Sequence, residues 1–178
     1  ALTNRSFRLD GRGYGMRIST RGRYALEAML ALTLLDTGKP VSIGDICAMT
    51  DLPRLYLEHL FTRMKQAGLV LGRRGSLGGY RLSAGPESLT AGQVLEAAEG
   101  VLSPVLCSRT DSLSIPCERA QDCRTRPVWQ GLDQTIASFL SHLTLSDLAG
   151  AYQSDRTERI GPVRTASASA DSSAAGRD

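Results

Sequence analysis

A chain of 178 residues with 42% hydrophobic and 22% charged side chains is long enough to bury one substantial core, which excludes a wholly disordered polymer. No run of about 18 apolar residues occurs, and the opening ALTNRSFRLDGRGYG lacks the apolar stretch of a secretory signal, so a cytoplasmic protein without a membrane partner is expected. The net charge of +3 conceals an asymmetry: residues 16–84 carry ten Lys/Arg against five Asp/Glu, and residues 85–150 carry four against eight. The first half suits a phosphate-bearing partner and the second does not.

Residues 1–15 show no periodicity and are set aside as an N-terminal extension. From Tyr24, the apolar positions Ala25, Ala28, Met29, Leu32 and Leu35 recur at helical spacing until Thr37-Gly38-Lys39-Pro40 ends the pattern. Ser42 followed by Asp45 predicts a capped second helix over residues 43–49, because the hydroxyl takes an orphan N–H and the carboxylate favours the positive helix end. After the turn Thr50–Pro53, Leu57, Leu60, Phe61 and Met64 form one apolar face of a third helix that Gly68 ends. A short helix, a tight turn and an amphipathic helix make a helix-turn-helix. Two short strands, Leu69-Val70-Leu71 and Tyr80-Arg81-Leu82, flank a Gly/Arg turn that includes Ser76, and they predict a wing.

Thr90 with Gln93 predicts another capped helix, with Val94, Leu95 and Ala98 inward, that ends at Gly100. Pro127 then suits the first turn of a long helix. Its stripe of Trp129, Leu132, Ile136, Phe139, Leu140 and Leu143 exceeds what a small winged domain needs to cover, so it is assigned to a homodimer interface. The expected fold is mostly α with a small β wing: a winged helix-turn-helix over residues 16–84, then a cysteine-loop sensor and dimerisation region over 85–150. The Ser/Ala-rich residues 151–178 are expected to be a disordered tail.

Arg54, Tyr56 and Glu58 lead the third helix and are candidates for contacts to base edges of promoter double-stranded DNA. Arg73, Arg74 and Ser76 of the wing, with Ser19, Thr20 and Arg21 ahead of the first helix, are candidates for backbone contacts. Each of these has a plain surface role as its alternative. Cys107, Cys117 and Cys123 lie between two helical patterns with spacing C-x9-C-x5-C. That spacing is too loose for the paired cysteines of a zinc site and suits thiolates around an iron–sulfur cluster, of either the 2Fe-2S or the 4Fe-4S kind. Cys47 reads as a small core residue, and His59 and His142 as surface residues. No Ser/His/Asp, paired-carboxylate or phosphate-loop constellation appears, so an enzyme is not expected.

The segments MRISTRGRYALEAMLAL (16–32), YLEHLFTRMKQAGLV (56–70) and RGSLGGYRLS (74–83), with the three-cysteine loop followed by Val128-Trp129, resemble the IscR-type family of iron–sulfur-sensing bacterial repressors. Its relatives include nitric oxide and iron-response regulators. The resemblance implies a homodimeric winged-helix transcription factor whose long helix forms the dimer interface and whose cluster state alters DNA binding. It also implies that Tyr56, Glu58 and Arg74 contact DNA and that the three cysteines ligate the cluster. IscR-like members carry a histidine three residues after the last cysteine, where this chain has Arg126, which does not ligate iron. Other relatives draw a carboxylate or histidine from the partner's first helix, at positions resembling Arg23, which is unsuitable, and Glu27; Glu27 of the partner subunit is therefore a candidate ligand, with a plain exposed glutamate of the first helix as its alternative. The rival readings are a cluster-free thiol- or small-molecule-responsive repressor of the same fold and a winged-helix protein-interaction module.

Overall fold

The computed structural model describes residues 18–75, 78–100, 102 and 122–160. Its elements in chain order are α1 (Thr20–Leu35), α2 (Ile43–Thr50), α3 (Arg54–Gln66), β1 (Val70–Arg73), β2 (Gly79–Leu82), α4 (Ala91–Glu99), α5 (Arg126–His142) and α6 (Leu145–Ile160). This is the expected winged helix-turn-helix with a long helix appended.

Local chemistry sets most of the boundaries. α1 begins four residues before the apolar pattern because the Ser19 hydroxyl caps it, accepting from Arg21 N at 3.1 Å. The Ser42/Asp45 and Thr90/Gln93 capping boxes both form, starting α2 and α4. Asp51 ends α2 in the left-handed region (φ 55°), and its N–H donates to the Cys47 carbonyl at 2.9 Å. Asp tolerates this conformation better than most residues, which permits the sharp turn into α3.

α1 lies centrally, packed against α2, α3, α4, α6 and β2. Its small inner residues Ala25, Ala28 and Ala31 allow close helix approach, and Met29 and Leu32 fill the space between. α3 buries Leu57, Leu60, Phe61 and Met64 into the same core, and α4 adds Val94 and Ala98. The strands pair antiparallel in the register Val70↔Leu82 to Arg73↔Gly79. The wing is fastened twice: Tyr80 and Val41 exchange backbone hydrogen bonds of 2.8 and 2.9 Å, and the Tyr80 ring lies 4.6 Å from that of Phe61.

Two expectations need correction. Residues 151–160 continue α6 rather than beginning a tail. Thr144 and Asp147 exchange bonds of 3.0 Å at the start of α6, and Leu145 is fully buried in the core beneath α1. Nor does residue 84 divide two units, since Leu89, Val94, Ala98 and Leu145 share one core with α1 and α3.

A methyl group added at Gly79 would stand 2.2 Å from the Val41 carbonyl oxygen, at φ +157°. Gly79→Ala is therefore expected to destabilise by about 1–3 kcal/mol in urea denaturation. Gly150→Ala, in an open helical position of α6 with no atom within 4 Å, is expected to be neutral or to stabilise by up to about 1 kcal/mol.

Candidate nucleic-acid interface and sensor junction

Burying Leu57, Leu60, Phe61 and Met64 turns Arg54, Leu55, His59, Thr62 and Arg63 of α3 outward. Arg54 Nε donates to Glu58 Oε1 at 2.9 Å, an exposed i,i+4 pair that orients both groups and adds little stability. Tyr56 is half-buried, its ring edge-on to Tyr24 of α1 with centroids 5.5 Å apart. Of the sequence candidates on α3, Arg54 and Glu58 thus act as a pair, and Tyr56 ties the leading end of α3 to α1.

Arg73 and Arg74 are exposed at the wing, whose turn closes through Gly78 N donating to the Gly75 carbonyl at 2.9 Å. A side chain at Gly78 would meet Arg73 O at 2.4 Å, so the turn requires glycine there. Ser76 lies outside the described residues. Between α2, α3 and the wing opens a cavity of 460 Å³, lined by Ser42, Gly44, Arg54, Lys65, Arg73 and Arg74 among others. Three guanidiniums and an ammonium around one hollow make a cationic seat for phosphate. Sequence reasoning did not pick out Lys65; the signal available was its place at the end of α3, facing the wing.

Ser19, Thr20 and Arg21 do stand at the head of α1, but Ser19 and Arg21 are engaged inside the protein. The carboxylate of Glu99, the last residue of α4, accepts from the Ser19 hydroxyl, from Ser19 N at 3.2 Å, from Gly22 N at 2.7 Å and from the Arg21 guanidinium at 3.1 Å. It thereby satisfies helix N–H groups that have no intrahelical acceptor, at the positive end of the α1 dipole. A side chain at Gly22 would meet Glu99 Oε1 at 2.7 Å, so glycine is what admits the carboxylate. Burial pushes the Glu99 carboxyl up, but the Ser19 hydroxyl, the Gly22 N–H and Arg21 outweigh it and hold the pKa below the ordinary glutamate range. Nothing local in the sequence pairs residue 99 with residues 19–22.

Gly100 follows at φ +84°, and the chain then enters the segment holding Cys107 and Cys117, both outside the described residues. Cys123 is half-buried, its Sγ 3.5 Å from Thr125 Oγ1. Thr125 also accepts from Trp129 Nε1 at 3.2 Å, joining the last cysteine to the first turn of α5. Among the described residues, no three His, Cys, Asp or Glu side chains converge on a metal-sized space. Glu27 is exposed on α1 and forms no ion pair among the described residues. Cys47 is half-buried against the core, whereas His59 and His142 are exposed.

No residue of α5 is buried. Its apolar stripe splits: Ile136 and Leu140 line a hollow of 320 Å³ against Thr90, Gly92 and Glu96 of the α4 region, while Trp129, Leu132 and Phe139 are exposed, Phe139 to 64%. Leu143 is half-buried where α5 meets α6. No helix among the described residues is long and apolar enough to cross a membrane.

Residues 18–151 match the profile of the Rrf2 family, described as an iron-dependent transcriptional regulator. The chain is 35% identical to the HTH-type transcriptional regulator IscR of Vibrio campbellii over 133 residues, covering 75% of this chain and 77% of that protein. The corresponding protein of Yersinia enterocolitica is 34% identical, with 75% and 79% covered. Among solved structures, CymR, the global cysteine regulator of B. subtilis, superposes with a TM-score of 0.61 at 34% identity, over 76% of this chain and 97% of that one. The T. potens IscR structure gives 0.60 at 29% identity, over 83% and 93%.

Because the Glu99 carboxyl is held below the ordinary glutamate range in the folded state, its contribution is complete above the unfolded-state pKa and is lost as pH falls through the lowered one. Glu99→Gln should therefore cost about 1–3 kcal/mol at pH 7 in urea denaturation, with the difference from the parent protein shrinking as pH falls through the lowered pKa. A difference that does not vary with pH would contradict a charged contact.

Proposed function

This chain belongs to the Rrf2 family of transcriptional regulators, and from that premise we propose that it is a homodimeric regulator whose operator binding answers to an iron–sulfur cluster held by Cys107, Cys117 and Cys123. Gene regulation through DNA, rather than catalysis, is what the IscR relatives share with it. The finer reading rests on the three cysteines that follow α4, and a route from them to the DNA-binding elements is supported by one observation: Glu99, the last residue of α4, is bonded to the head of α1.

The DNA-facing parts follow from the charge distribution. α3 enters the major groove, Arg54 and Glu58 approach base edges as a hydrogen-bonded pair, and Arg73, Arg74 and Lys65 approach phosphates around the hollow beneath the wing. Thr20, exposed at the head of α1, is a further backbone contact. The exposed Trp129, Leu132 and Phe139 face a second copy, because an apolar stripe of this kind on a long helix is stabilised by covering it. Two reading heads related by a twofold axis suit half-sites about one helical turn apart.

Thiolates are the donors that iron–sulfur chemistry favours, and Cys123 is only half-buried, with its neighbour Thr125 fastened to α5. Glu27 of the partner subunit would complete the ligand set, since Arg126 remains protonated. When bound, a cluster supplies iron that responds to oxidants, to nitric oxide or to iron supply. The protein's own residues would carry the consequence: a change in the cysteine segment that displaced Glu99 would disturb the head of α1, and the Tyr24–Tyr56 contact would pass it to α3. Similarity to the B. subtilis cysteine regulator favours one second reading, a cluster-free regulator responding to a small molecule or thiol.

Protein isolated without oxygen should be coloured, contain iron and acid-labile sulfide, and lose both in each of Cys107→Ala, Cys117→Ala and Cys123→Ala. Colourless, iron-free protein after reconstitution, with operator binding that still responds to an effector, would select the second reading. A full cluster in all three variants would overturn the ligand assignment.

A further inference from the structure

We propose that Leu55 reads the 5-methyl group of a thymine in the major groove, giving the recognition helix an apolar specificity contact; the inference rests on the DNA-binding reading above. Leu57 and Leu60 of α3 are 0% and 2% exposed, whereas Leu55, the second residue of the helix, is 67% exposed. A single exposed leucine on a protein surface calls for no explanation. This one differs in where it stands and in what surrounds it.

The leading turn of a recognition helix is the part that approaches base edges. In that turn, Arg54 is bonded to Glu58, Tyr56 is packed edge-on to Tyr24, and Leu57 is in the core. Leu55 alone among these four is outward-facing and uncommitted. On the adjoining turn, His59 is exposed four residues on, so the two side chains share one face beside the Arg54–Glu58 pair. The cationic hollow lined by Arg54, Lys65, Arg73 and Arg74 lies alongside and would fix the helix against phosphates.

An isobutyl group neither donates nor accepts a hydrogen bond, so it gains nothing from the polar edges of guanine, cytosine or adenine. Thymine presents a methyl group in the major groove, and contact between the two removes apolar surface from water. Covering one methyl-sized group corresponds to a factor of about four in affinity. Leu55 is therefore a discriminating contact that leaves the phosphate-driven part of binding unchanged.

The test begins by selecting an operator from a random duplex library with the full-length protein. Each thymine of that operator is then replaced singly by deoxyuridine, which lacks only the methyl group, and affinity is measured by fluorescence anisotropy at fixed salt. One position per half-site should weaken the parent protein about fourfold, and Leu55→Ala should be insensitive to that same replacement. Leu55→Ala should also keep the parent's salt dependence, because no phosphate contact is lost. If no deoxyuridine replacement weakens the parent, or if Leu55→Ala keeps the parent's sensitivity at that position, the assignment is overturned. A protein that selects no sequence at all would overturn the DNA-binding reading itself, and this contact with it.

Discussion

The carboxylate of Glu99 at the head of α1 is the contact on which the remaining architecture turns. α1 is the central helix of the core, and its first turn carries N–H groups that no intrahelical carbonyl can satisfy. A residue nearly eighty positions away supplies the acceptor, and Gly22 leaves the room for it. One charged group thus joins the last residue of α4 to the first turn of α1.

Two features on either side of this contact give it functional meaning. On one side, Tyr24 lies one turn into α1 and meets Tyr56 at the start of α3, which joins the α1 head to the helix proposed to read bases. On the other, α5 starts at Arg126, just after Cys123 and Thr125, and presents Trp129, Leu132 and Phe139 outward. α5 is held to the body through α4 and through the α5–α6 junction, where Ala91 N donates to the Leu143 carbonyl and Leu145 N to the Leu89 carbonyl, each at 2.8 Å. α4 therefore touches both: Glu99 at its end is bonded to the head of α1, and its flank packs against α5.

What the sequence made legible was what neighbouring residues decide among themselves. The Ser42/Asp45 and Thr90/Gln93 caps, the buried face of α3 and the wing all follow from spacings of two to four residues. α6 carried the same kind of signal in Thr144 and Asp147, but a single buried Leu145 and a largely polar remainder masked the helical period. The Arg54–Glu58 pair was readable as an i,i+4 spacing, yet its effect, removing both groups from independent action, required coordinates. Glu99 with Ser19 and Gly22, Tyr24 with Tyr56, and Lys65 with the wing are brought together only by tertiary packing. The division at residue 84 failed for the same reason, since composition changes there while the core does not.

The central claim is that the state of the cysteine segment reaches the head of α1 through Glu99. Gly22 N–H is suited to report it, because its acceptor in the fold is that carboxylate. Amide hydrogen exchange across residues 19–23, compared between cluster-loaded and cluster-free protein, should show Gly22 protected in one state and faster by at least about tenfold in the other, with the buried middle of α1 unchanged. Identical Gly22 exchange in the two states, alongside a clear difference in operator affinity, would contradict the account by showing that the signal travels elsewhere.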